Sequence, residues 1–115
     1  MMVKIELNEL SACIKVAACI CAKDGVISEV EENTIFQVVR DKYPEVRESY
    51  IEQAITEFFD SNDQIEDYTS LVTDKSLRQF AIELSKVSAS ADGLDVQENI
   101  ALEKACLIWG LNSND

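Results

Sequence analysis

There is no histidine in these 115 residues, and that single absence removes several chemistries. No Ser-His or Cys-His nucleophile pair can be assembled, nor a histidine-bearing zinc site, nor an imidazole base near neutral pH. Catalysis would have to rest on carboxylate, Cys, Lys or Tyr. Basic residues are scarce as well: Lys plus Arg is 10 against 22 for Asp plus Glu, a formal net charge of −12. Phosphate backbones and anionic lipid surfaces are bound through basic faces, so DNA, RNA and acidic membranes are not expected as partners. With 3 Gly, 1 Pro and 47% apolar residues the composition is that of a folded chain rather than a disordered one. The length suits one domain, residues 1–115, able to bury roughly two thirds of its unfolded surface.

Long apolar runs are missing too. The first helical segment holds its longest uncharged run at residues 16–22, too short to cross a bilayer, and no basic leader precedes it. No direct membrane insertion and a cytoplasmic location are expected. Cys13, Cys19, Cys21 and Cys106 sit among Ala, Ile, Val and Leu rather than at the loop positions of a disulfide framework, which fits a reducing compartment.

What is present is helical periodicity. Leu7, Leu10, Ile14, Ala17, Ala18 and Cys21 mark one stripe of a first helix over residues 6–23, with Gly25 as its stop. Ser28 and Glu31 form a capping-box pair opening a second helix that buries Ile35, Val38 and Val39 and ends near Tyr43. Pro44 suits the first turn of a third helix, on which Val46, Tyr50, Ile51, Ala54, Ile55, Phe58 and Phe59 make a wide stripe carrying the bulk of the aromatic core. A turn at residues 60–64 leads to a short helix with Ile65, Tyr68, Leu71 and Val72. Thr73 or Asp74 caps a fifth helix with Leu77, Phe80, Ala81, Leu84, Val87 and Ala91 on its buried face. Asp95 and Glu98 repeat the capping-box pattern before a last helix bearing Ile100, Ala101, Ala105, Leu107 and Ile108, closed by Gly110, and residues 112–115 form a frayed tail. The expected fold is an all-α bundle of about six helices.

Two helix corners resemble one another. Ala22-Lys23-Asp24-Gly25-Val26-Ile27-Ser28-Glu29-Val30-Glu31 and Ser90-Ala91-Asp92-Gly93-Leu94-Asp95-Val96-Gln97-Glu98 share a small helix end, Asp-Gly, an apolar residue, a cap and Glu, the second copy being one residue shorter. The first copy imitates the closing half of a calcium loop, but Ile20 and Ala22 stand where oxygen ligands belong, and in the second copy Asn99 stands where the bidentate Glu belongs. Capping accounts for Gly25, Gly93, Ser28, Asp95, Glu31 and Glu98. It does not account for Asp24 and Asp92, acids at the carboxyl ends of helices, where the dipole disfavours them. Two readings stay open: a side chain folded onto turn N–H groups, or contact with an ion or ligand.

Residues 18–32 and 89–98, with the closing Leu107-Ile108-Trp109-Gly110-Leu111, resemble the TerB-like domains of tellurite-resistance systems and of the DjlA-type cochaperones. The shared pattern is Ala-x-Ala-Asp-Gly-x-apolar-x-x-x-Glu, with Lys23 in place of an alanine in the first copy. The resemblance implies a helical bundle with pseudo-repeated corners and no enzymatic activity. It further implies a bacterial stress context, a divalent cation or cationic ligand held at Asp24, Glu31, Asp92 and Glu98, and partners among the other proteins of a stress or defence assembly. The shortened second copy turns Glu98 by about 100° relative to its counterpart.

Two other features carry alternatives. Cys19 and Cys21 are two apart, so on a helix they point to different sides and cannot share an ion; packing like alanine or thiol reactivity are the readings for the cysteines. No basic residue falls between Arg47 and Lys75, while Glu48, Glu52 and Glu57 head a run of acids there, and Glu45, just before it, forms a like-charge ladder with Glu48 and Glu52 at helical steps. That face is a solvated surface, a docking face for a basic protein partner, or a place of diffuse divalent-cation binding. Paired carboxylates of glycosidase type need two acids fixed across a cleft, which abundance alone does not supply.

Overall fold

Small side chains set the centre of this molecule. In the computed structural model, which describes residues 7–22, 27–61, 64–91 and 96–110, six helices follow one another as α1 (Leu7–Cys21), α2 (Glu29–Lys42), α3 (Glu48–Asp60), α4 (Ile65–Thr69), α5 (Lys75–Ser90) and α6 (Val96–Trp109). No strand occurs among the described residues, and the all-α bundle expected from the periodicity is what forms.

The core is three apolar clusters arranged around one helix pair. Leu10, Ile14 and Ala17 of α1 with Phe80 and Leu84 of α5 meet Ile35 and Val39 of α2 and Ile51, Ala54 and Ile55 of α3. Val16, Ile20 and Cys21 with Ile82 and Ala89 meet Ile65, Tyr68, Ala101, Leu102, Ala105 and Cys106. Ala12 and Cys13 with Leu77 and Ala81 enclose Val72. Because α1 and α5 contribute to all three, each is buried on more than one side. A helix apolar nearly all round belongs at the centre. The single stripe read on α1 is therefore too narrow: Ala12, Cys13, Val16 and Ile20 are buried as well.

Helices α1 and α5 run parallel. Glu9 meets Thr73 and Asp74 at their first turns, the Cys13 thiol donates to the Leu77 carbonyl one turn further on, and Cys21 shares a cluster with Ala89 near their ends. The starting link is a cap supplied by the tertiary fold. Thr73 N–H donates to Glu9 Oε1 at 2.8 Å and Asp74 N–H at 3.2 Å, while Asp74 Oδ1 accepts Ser76 N–H at 2.8 Å and Leu77 N–H at 3.1 Å. The N–H groups at the start of α5, left without helical partners, are thus taken up by two carboxylates. These bonds hold the Glu9 carboxyl below its usual range.

Four local expectations change. Pro44 does not open α3: Val46 N–H donates to the Tyr43 carbonyl at 3.0 Å, so Pro44 occupies the second position of a tight turn, where its fixed φ is equally favourable, and α3 starts at Glu48. Phe59 is 47% exposed, whereas the buried rings are Tyr68 of α4 and Phe80 of α5, so α3 does not hold the bulk of the aromatic core. On α5 the covered residues include Ile82, Ser85, Ser88 and Ala89, while Val87 and Ala91 face out. On α6 the buried stripe is Ala101, Leu102, Ala105 and Cys106, leaving Ile100 at 60% and Leu107 at 81% exposure. The stripe with more small residues faces inward because α6 lies close against α1 and α5. Its end is pinned by Trp109 Nε1–H, which donates to the Thr69 carbonyl at 3.0 Å. Gly110, at φ +69°, then stops the helix in the left-handed conformation.

Candidate functional site

The first corner is entered from α1 and left through the cap of α2, and that cap is built as the sequence predicts. Glu31 N–H donates to Ser28 Oγ at 3.1 Å and Ser28 N–H donates to Glu31 Oε1 at 3.0 Å. Glu31 is buried at 5% exposure. A carboxylate tolerates that burial here because it lies over the positive end of α2 and accepts a backbone N–H. Caps of this kind stabilise by about 0.5 to 2 kcal/mol.

Of the four residues assigned to the corners, Glu31 is the one whose side chain is described. Asp24 and Asp92 lie outside the described residues, and Glu98 falls on the first turn of α6 with its side chain outside them. What the fold does establish is where the corners are attached. Since α1 and α5 are parallel, Ala22 and Ala91, the last described residues before each corner, leave the helix pair at the same end. Ile27, on the way out of the first corner, packs against two of the three clusters at once. Glu31 Oε1 is engaged by the cap, and its lone pairs beyond that bond are what it could offer a cation. Among the described residues no three His, Cys, Asp or Glu side chains come together as a metal-holding group.

The acidic face looks different once folded. Glu45 sits in the turn before α3, so the ladder of Glu45, Glu48 and Glu52 on one helix shortens to Glu48 and Glu52. Glu57 is engaged internally: Lys15 Nζ of α1 donates to Glu57 Oε1 at 2.8 Å and Gln53 Nε2 to Glu57 Oε2 at 3.1 Å. These bonds, Lys15 first, draw the Glu57 carboxyl below its usual range. Arg40 of α2 stands 3.8 Å from Glu48, and Lys104 of α6 pairs with Glu66 at 2.8 Å. The long acidic interval is therefore partly answered by basic groups from other helices. A linear count of charges could not register this, because the partners are far apart in the chain.

Sequence reasoning missed a cleft altogether. Helix α2 packs chiefly on α5 and α3 chiefly on α1, and the two meet through the apolar cluster of Ile35 and Val39 with Ile51, Ala54 and Ile55. The tight turn at Pro44 joins them. Beside that turn is a shallow, open cleft of about 420 Å3 between the polar side of α2, at Asn33, Phe36, Gln37, Arg40 and Asp41, and Pro44 and Glu48. The signal in the sequence is the step of three and four from Asn33 to Arg40, which puts these residues on the side of α2 away from Ile35 and Val39.

The thiols are packed. Cys13 is fully buried, and burial pushes its thiol up to about 12; Cys106 is also raised by burial. Cys13 and Cys106 belong to different clusters, so the fold does not bring them together as a pair. A thiol held protonated is a poor nucleophile and a poor metal ligand.

The chain matches no protein-family model, no curated protein and no solved structure.

Proposed function

We propose that this chain is a non-catalytic, acidic helical module of the TerB-like kind, which binds a divalent cation or a cationic ligand at its two Asp-Gly corners. The observation that supports it is the parallel run of α1 and α5, which attaches both corners at one end of the molecule. In that reading Asp24 and Asp92 supply carboxylate oxygens, hard ligands suited to calcium, magnesium or manganese. Glu31 contributes at most the lone pairs its cap leaves over, and Glu98 completes the set from the first turn of α6. A net charge of −12 raises the local concentration of cations around any such site.

Calorimetric titration of calcium, magnesium and manganese into the wild type and into the double variant Asp24→Asn with Asp92→Asn tests this. Submillimolar binding that the double variant loses supports the assignment; binding that survives both substitutions, or none tighter than millimolar, overturns it.

A second reading is a protein-interaction module of a bacterial stress or defence assembly that docks a basic partner on its acidic face. It is favoured by the exposure of Glu45, Glu48 and Glu52. Glu57 contributes less, since Lys15 already occupies it.

A further inference from the structure

We propose that the outer face of α6 binds a second copy of this chain, the two α6 helices lying side by side and pointing the same way about a two-fold axis parallel to them. Neither reading above uses this face. Helix α6 is apolar nearly all round: Ala101, Leu102, Ala105 and Cys106 are buried in the bundle, yet Ile100 stays 60% exposed, Leu107 81% and Ile108 44%. A helix apolar on every side belongs between two packed layers, and this one has the bundle on one side only.

Charge and helical geometry select the occupant. At about 100° per residue, Ile100 and Leu107 fall on the side of α6 opposite Leu102 and Ala105, with Glu103 on one flank of that stripe and Lys104 on the other. A two-fold axis parallel to the helices sets opposite flanks against each other. Glu103 of each copy then meets the partner's Lys104, while Ile100 and Leu107 pack against the partner's Ile100 and the partner's Leu107. An antiparallel pair would instead set equal flanks together, Glu103 against the partner's Glu103, which like charge disfavours. The chain carries −12 overall, yet residues 99–110 hold one Glu and one Lys and are neutral. A second chain of the same net charge can approach here without meeting its like.

Lys104 already reaches Glu66 of α4 at 2.8 Å, with both side chains more than half exposed. An ammonium has three N–H donors, so it can hold the partner's Glu103 as well. The strip follows the 14 residues of α6, about 21 Å long and 10 Å wide, and falls short of the roughly 1,200 Å2 that stable interfaces bury. The dimer is therefore a weak one, with a dissociation constant on the order of 0.1 mM. Since α6 starts just after the second corner, the parallel arrangement carries the corner ends of both copies on one side.

The experiment is analytical ultracentrifugation of the full chain from about 10 μM to 1 mM at about 0.15 M salt, where the net charges are screened. A reversible monomer–dimer equilibrium is expected. Leu107→Ser should weaken it at least about tenfold, with helix content by circular dichroism unchanged, because so exposed a side chain holds little of the fold. Val30→Ser, at an exposed apolar residue of α2, should leave it as it is. Glu103→Lys and Lys104→Glu should each weaken it several-fold, and mixing the two variants should restore wild-type affinity, since each then meets its opposite. Loss of the Glu66 pairing in Lys104→Glu would not be repaired by mixing. A monomer up to about 1 mM overturns the proposal, as does a dimer that Leu107→Ser leaves intact. Single charge variants that bind as the wild type does, or a mixture no tighter than either alone, overturn the parallel pairing.

Discussion

Two serines one turn apart on α5 give the sharpest test of the packing described above. Ser85 and Ser88 are both fully buried. Ser85 Oγ donates to the Ala81 carbonyl at 2.7 Å, whereas Ser88 Oγ has no hydrogen-bond partner among the described residues. An uncompensated buried hydroxyl costs about 1 to 3 kcal/mol, and a satisfied one contributes about 1 kcal/mol. Alanine is also the better helix former, by about 0.5 kcal/mol. Against this stands the dispersion attraction that one oxygen atom makes with its neighbours in a well-packed core, about 0.5 kcal/mol. Ser88→Ala should therefore stabilise the protein by about 1 to 2 kcal/mol, while Ser85→Ala should be close to neutral or slightly destabilising. For a chain of this length the Ser88 substitution raises Tm by about 4 °C per kcal/mol. Urea unfolding followed by circular dichroism reads both, and an unchanged slope with a higher midpoint for Ser88→Ala is the expected pattern. A lower midpoint for Ser88→Ala, or equal shifts for the two variants, would refute the reasoning.

Glu9 makes the fold acid-sensitive: its folded pKa lies below the unfolded value, so its contribution is present above about pH 4.5 and is lost as pH falls through the folded value. Glu9→Gln should lower Tm at pH 7 and bring it closer to the wild type below pH 4, and thermal melts across that window check it. Trp109→Phe removes the indole N–H that holds the Thr69 carbonyl and should cost about 1 kcal/mol, seen as a lower urea midpoint. Timed alkylation at pH 8 should find Cys13 the last thiol to react, and only as fast as the protein unfolds, because burial holds it protonated; rapid labelling of Cys13 in the native protein would contradict its placement.

Much of the architecture was legible in the residues themselves. Local chemistry acts over a few positions, so Ser28 with Glu31, Asp74 before Leu77 and Gly110 after Trp109 marked helix ends that the structure reproduces. Pro44 was legible as punctuation but not as to kind, since a first helical turn and a tight turn ask the same φ of it. Helix α6 shows the limit of periodicity. Its apolar residues run all round, so Ala101 and Ala105 were legible as buried, but only the approach of α1 and α5 completed their stripe with Leu102 and Cys106 rather than with Ile100, Leu107 and Ile108.

Composition and short-range spacing determined the helical class, the charge of −12 and the absence of histidine chemistry, because those depend on residue identity and on neighbours a few positions away. The tertiary structure alone decided that α1 and α5 lie parallel, that Glu9 caps a helix more than sixty residues away, and that a shallow cleft opens on the polar side of α2 beside the Pro44 turn. It also decided which acids remain to meet a partner: Lys15 crosses to Glu57 and Lys104 to Glu66, pairings set by which helix faces converge. Coulomb attraction depends on distance in space, and only the fold converts separation along the chain into that distance.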